Sequence, residues 1–232
     1  MFFPFDPMYM IFVALPGFII AGAASWMVKT AFNRYSRVRS RRGYTGAQAA
    51  KILLDNAGIR DVSIVRTPGR LSDHYNPQTR ELALSDEVYS SNSVAAIGVA
   101  CHEAGHAIQH AHRYAPLGLR SAIVPAAGIG SNLGYIVMAV GIFIHPYVVA
   151  LGAVIFSAVL LFQLITLPVE FDATARAKRL VVEAGIIDQD ERSGMDKVLN
   201  AAALTYVAAV VTTLLTLLYY LYRSGLLGGN DD

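Results

Sequence analysis

Four stretches of this chain, residues 8–28, 121–144, 146–167 and 201–222, carry no charged side chain. Each reaches the length of about 20 apolar residues that a helix needs to cross a hydrocarbon core. Charged residues make up 16% of the 232, against about 25% in a soluble domain. Such an apolar excess needs a membrane to absorb it, so the expected class is a polytopic, mainly α membrane protein. The first stretch has no basic leader segment and no A-x-A cleavage pattern, so it reads as a retained anchor. Pro16, Pro125 and several glycines interrupt the stretches. Spanning helices tolerate these residues better than soluble helices do.

The lysines and arginines set the orientation. Residues 1–7 carry none, whereas Lys29, Arg34, Arg37, Arg39, Arg41 and Arg42 follow the first stretch. The positive-inside rule puts that side in the cytoplasm and the N-terminus outside. The second and third stretches form a hairpin turning at His145-Pro146, and the chain returns inside before Arg176, Lys178 and Arg179. The fourth stretch takes the tail, 226–232, back outside, with Arg223 the one basic residue there. The expected parts are an anchor (1–28), a cytoplasmic portion (29–120), a transmembrane hairpin (121–167), a cytoplasmic connector (168–200) and a terminal helix with tail (201–232). A net charge of only +2 gives no reason to expect nucleic acid as a partner. The lipid bilayer is the partner that composition demands. Cys101 is the single cysteine, so there is no internal disulfide framework, and it reads as a small buried helix residue.

The cytoplasmic portion reads as a small α+β unit. Thr45 can cap a helix over 46–56 that ends near Gly58. Residues 62–66 alternate like a strand, Tyr75-Asn76-Pro77-Gln78 signals a turn, and 81–84 reads as a second strand. Ser91 or Ser93 caps a helix over 94–112, which carries His102-Glu103-Ala104-Gly105-His106, an HExxH pattern. Residues i and i+4 share a helix face, so His102 and His106 can hold one metal ion, for which this ligand type favours Zn²⁺. Glu103 stands beside that face and can take a proton from a water activated there. Gly105 costs about 1 kcal/mol of helix propensity relative to alanine. Close approach by a neighbouring element gives it a reason.

A catalytic zinc site usually has a third protein ligand. The candidates are Glu170, Asp172, Glu183, His74, His110 and His112. Histidines at i, i+4 and i+8 extend about 12 Å along one helix, too far for one ion with bonds of about 2 Å, which argues against His110. His112 points elsewhere. Glu170 has the best context: it follows Pro168 at the mouth of the third stretch and opens a helical-looking segment, 170–176. The competing reading makes it an interfacial charge beside the arginines. Ser131, Asn132 and Gln163 read as contacts between spans.

In combination these segments are similar to the YugP-like membrane zinc metallopeptidases. The resemblance rests on Thr45-Gly46 to Gly58, Leu71-Ser72-Asp73-His74-Tyr75-Asn76-Pro77, Leu84-Ser85 and the HExxH helix with Gln109. It continues through Leu167-Pro168-Val169-Glu170-Phe171-Asp172-Ala173 and Ala203-Leu204-Thr205-Tyr206, so it covers nearly the whole chain. It implies zinc-dependent proteolysis with Zn²⁺ on His102, His106 and Glu170. The plan is similar to that of the HtpX and CAAX-prenyl protease group, which also places two spans between HExxH and a Glu helix. That group reads E-x-x-x-D, whereas Thr174 stands four residues after Glu170 here. Asn76 stands where the family motif often has Asp. A supporting role for Asp172 or Arg176 stays open.

The expected protein has four transmembrane helices and a small α+β, zincin-like cytoplasmic portion. It would be a zinc metalloendopeptidase, multi-pass in a bacterial plasma membrane, acting on peptide or membrane-protein substrates at the cytoplasmic face. His74 or Tyr75 would donate to the oxyanion, or would only shape the turn. The strand at 81–84 would bind an extended peptide by edge addition. A reading from another class is a metal-bound adaptor or assembly factor with little proteolysis, working through a homo-oligomer or a membrane partner. A transporter is disfavoured, since no acidic or basic residue lies within any stretch.

Overall fold

The computed structural model describes residues 6–227; the first residues of the leader and the last of the tail lie outside the described residues. The chain is mainly helical with one small sheet. In order come α1 (Pro7–Tyr35), α2 (Gly46–Asn56), β1 (Ser63–Thr67), β2 (His74–Asn76), β3 (Glu81–Ser85), α3 (Asp86–Tyr89) and α4 (Val94–Ala111). Then follow α5 (Ala115–Gly141), α6 (Pro146–Glu183) and α7 (Arg192–Arg223). Four helices, α1, α5, α6 and α7, are long and apolar enough to cross a membrane. They contain the uncharged stretches, except that α5 ends at Gly141 and leaves residues 142–144 in the turn before α6.

These helices outrun the stretches. Helix α1 continues past Lys29 and Arg34 to Tyr35, and α7 begins at Arg192. Lysine and arginine are good helix formers, so a charge can end a membrane span without ending the helix. Helix α6 runs through Pro168 unbroken, so one 38-residue helix carries both the third stretch and the segment around Glu170. The proline removes one N–H donor, a loss that long spanning helices absorb.

The chain forms two compact units. The first takes in the described residues up to Ala24, Leu119–Leu167 and those from Thr205 onward. Its core is Val13, Met138, Val149, Ala153, Phe156, Tyr219 and Tyr220. Glycines bring α5 and α6 into backbone contact there. A Cβ on Gly134 would lie 2.6 Å from the Phe156 nitrogen, and one on Gly152 would lie 2.5 Å from the Met138 nitrogen. Small residues at such crossings are how membrane helices gain packing without a hydrophobic drive. Asp6 caps α1 by accepting from the Met8 N–H at 3.0 Å, and it also accepts from the Tyr219 hydroxyl. Arg223 lies 3.6 Å from the same carboxylate. Ser131 donates to Gly128 O in its own helix at 2.9 Å, a correction to the expected contact between spans.

The second unit is Ser25–Gly118 with Pro168–Leu204. Thr45 and Gln48 close a capping box that starts α2, and α2 packs on α4. In the sheet, β1 pairs with β3 in parallel (Ser63↔Glu81) and β2 pairs with β3 antiparallel (His74↔Ala83). The order is β1-β3-β2. Two expectations are corrected here. His74–Asn76 is itself a strand, and the turn comes after it. Strand β3 is central, so it has no free edge for a peptide. Its Leu82, Ala83, Leu84 and Ser85 are all buried, as suits a strand covered on both faces.

Candidate metal centre

Helix α4 begins at Ser93, whose hydroxyl accepts from the Ala96 N–H at 3.2 Å. Ala95, Ala96, Ala100, Cys101, Ala104 and Ala107 are buried along it. Their small size lets neighbours come close. At Gly105 the neighbour is backbone: a Cβ would stand 2.8 Å from the Ala173 carbonyl oxygen and 3.3 Å from its Cα. Any side chain there would force α4 and α6 apart. The glycine inside HExxH is therefore explained by a backbone crossing.

That crossing brings Glu170 onto the face carrying both histidines. His102 Nε2 lies 3.2 Å from Glu170 Oε2, and His106 Nε2 lies 3.5 Å from it. The ligand atoms of His102, His106 and Glu170 all fall within 4.8 Å of one another. Ligands about 2.1 Å from a tetrahedral ion sit about 3.4 Å from each other. The two distances to Glu170 have that scale, so the three side chains fit one zinc ion. Glu170 is 1% exposed, and an uncompensated carboxylate so deep would be costly.

The rear nitrogens of both imidazoles are also engaged. Gln109 Nε2 donates to Val169 O and to Asp172 Oδ2, each at 2.8 Å. Both amide hydrogens are thereby used. Gln109 Oε1 then faces His106 Nδ1 at 3.0 Å and can only accept. His106 must carry its hydrogen on Nδ1, which leaves the Nε2 lone pair aimed toward Glu170. Arg176 Nε holds Asp172 Oδ2 at 2.5 Å. His102 Nδ1 lies 3.2 Å from Thr174 Oγ1, one turn beyond Glu170 on α6. Thr174 thus supplies an oxygen four residues after Glu170. Asp172 serves the other histidine, at one remove. Fixing the rear nitrogen of a ligating histidine in this way sets its tautomer and orientation.

Burial opposes protonation of His106. The hydrogen bond and charge of Glu170, with the charge of Glu103, outweigh it and hold the imidazole above its usual range. Glu103 is itself buried on α4 beside the cluster. Its charge also reaches Asp73, whose pKa is raised mainly by burial. Asp73 accepts from the Ser85 N–H at 2.8 Å and from its hydroxyl at 3.0 Å, which ties the start of β2 to the end of β3. Burial pushes the Cys101 thiol well above its usual range, in line with an inert packing residue.

The other candidates lie elsewhere. His74 is exposed, with Nδ1 2.8 Å from Ser72 O. The Tyr75 hydroxyl lies 2.8 Å from His110 Nδ1, a contact between β2 and α4. Gln109 and Thr174 received no role from the sequence. Their only signal is spacing: three residues after His106, and four after Glu170.

An HExxH helix met by a carboxylate from a second helix is the arrangement of zinc peptidases, set here in a chain with four membrane-length helices. The family model described as "Putative neutral zinc metallopeptidase" matches residues 9–225, and the chain belongs to that family. It is 41% identical over 226 residues to "Putative membrane protease YugP" of Bacillus subtilis (strain 168), an alignment covering 97% of this chain and 100% of that protein. No solved structure matches the chain.

Proposed function

We propose that this protein is a membrane-bound zinc endopeptidase that cuts peptide or membrane-protein substrates at the cytoplasmic face. The observation that carries the reading is the meeting of His102, His106 and Glu170 at ligand-to-ligand distances. The basic residues after the first and third stretches support the sidedness. Bound to the three side chains, zinc would polarise the scissile carbonyl and acidify an attacking water.

The remaining work falls to the chain. Glu103 takes the proton from the attacking water as its oxygen bonds the carbonyl carbon, then delivers it to the amine as the C–N bond breaks. Gln109 and Thr174 keep both imidazoles turned with Nε2 forward through these steps. An extended substrate would add to β2, an edge strand packed near α4, rather than to the central β3. His74 and Tyr75 on β2 are the candidate oxyanion donors, with Tyr75 releasing His110 to serve.

The test is Glu103→Gln in the full chain. It should keep stoichiometric zinc and lose at least about a hundredfold in proteolysis. Full turnover by that variant sinks the mechanism. Rescue of a deletion phenotype by the inactive, metal-loaded variant would instead favour the adaptor reading.

A further inference from the structure

Beside Arg176 the second unit has a cavity of about 350 Å³ that the peptidase reading does not use. One wall is apolar, with Leu53, Ile108 and Leu180. Arg176 and Arg179 line it as well, with His112, Asn56 and the acid Glu183. Arg176 is held before any ligand arrives. Its Nε is fixed on Asp172 at 2.5 Å, Asp172 is held by Gln109, and its guanidinium carbon stands 5.8 Å from the centre of the Tyr114 ring. Among the described residues no acceptor is bonded to its two Nη groups. Arg179 is looser: its nearest acid is Glu183, 3.8 Å away, and its side chain is 64% exposed.

We propose that this cavity binds a phosphate group, with the Arg176 Nη hydrogens and Arg179 as donors. A guanidinium fork matches two phosphate oxygens at once, and an anchored one has less side-chain entropy to lose. Glu183 is the residue that opposes the ligand, since it lines the same cavity and competes for Arg179. Two sources of phosphate are open. Arg176 lies nine residues past Leu167 (176 − 167), a rise of about 13 Å along the helix. A headgroup layer adds about 5–8 Å beyond the hydrocarbon, so a long arginine can meet a phospholipid headgroup at its outer limit or a free phosphate. The site is independent of the metal reading.

The experiment uses the full chain in neutral phosphatidylcholine nanodiscs, titrated with inorganic phosphate and followed by thermophoresis. Binding should saturate. Arg179→Gln should weaken it about tenfold, and Glu183→Gln should tighten it by a few-fold. Both changes are at exposed side chains, and unchanged melting temperatures will show that the fold is kept. Opposite effects of the two variants support the site even if one of them is unstable. Repeating the titration with phosphatidylglycerol in the disc separates the sources. Loss of phosphate binding there assigns the site to a lipid headgroup, and unchanged binding assigns it to free phosphate. A titration that never saturates, or equal binding by wild type and both variants, overturns the proposal.

Discussion

The α5/α6 crossing in the first unit and the α4/α6 crossing in the second use the same device for different ends. In both, glycine lets two helix backbones touch: Gly134 and Gly152 in one, Gly105 in the other. The α5/α6 contact is surrounded by Met138, Val149, Ala153 and Phe156, and its product is packing alone. At the α4/α6 contact the closeness places Glu170 against His102 and His106, with Gln109 and Thr174 behind them. Close approach is thus a neutral tool. The polar residues one turn on either side of it decide whether it yields a dry seam or a chemical centre.

The sharpest way to break the comparison is to fill each glycine in turn. Gly105→Leu should cost zinc affinity about a hundredfold or more, because moving α6 moves the third ligand; inductively coupled plasma metal analysis after dialysis reads it. Gly134→Leu should lower stability by about 1–3 kcal/mol and leave the zinc content of the folded fraction unchanged. Equal zinc loss in both would show that the two crossings are not separable. Next comes Gln109→Leu, which removes the acceptor behind His106 and should weaken zinc by about 10–100-fold. Thr174→Val should weaken it less, near tenfold, with Thr174→Ser restoring it; competition with a chromophoric chelator measures both.

The smallest effect is in pH. Zinc needs His106 without a proton on Nε2, and that imidazole is held above its ordinary value of 6.5. Protons therefore compete from a higher pH than they would for a free histidine. Zinc affinity should fall as pH drops through that range, and zinc uptake at neutral pH should release protons. An affinity flat down to pH 6 would remove Glu170 as the cause.

The four membrane-length helices were legible in the sequence, because a bilayer excludes charge and an uncharged run of about 20 residues has few other uses. The sequence marked the uncharged runs but not the helix ends, since α1 continues past Lys29 and Arg34 to Tyr35. The pair His102 and His106 was legible from one helix turn, and Glu170 from its place after Pro168. Gln109 and Thr174 were not legible in role. Their partners depend on how α4 crosses α6, which no local spacing encodes. Strand β2 was hidden because Tyr75-Asn76-Pro77-Gln78 looks like a turn, and only its pairing with β3 makes His74–Asn76 extended. The order of the sheet is likewise a long-range fact, with the parallel partner of β1 reached only after β2.

Gln109 makes the site depend on the difference between an amide and an acid. Its amide works because one end has two hydrogens and the other has none. Deamidation would replace the NH₂ with a second oxygen and set it against the Val169 carbonyl and the Asp172 carboxylate. A single hydrolysis, adding about one dalton, would turn a lock on one histidine tautomer into a repulsive contact.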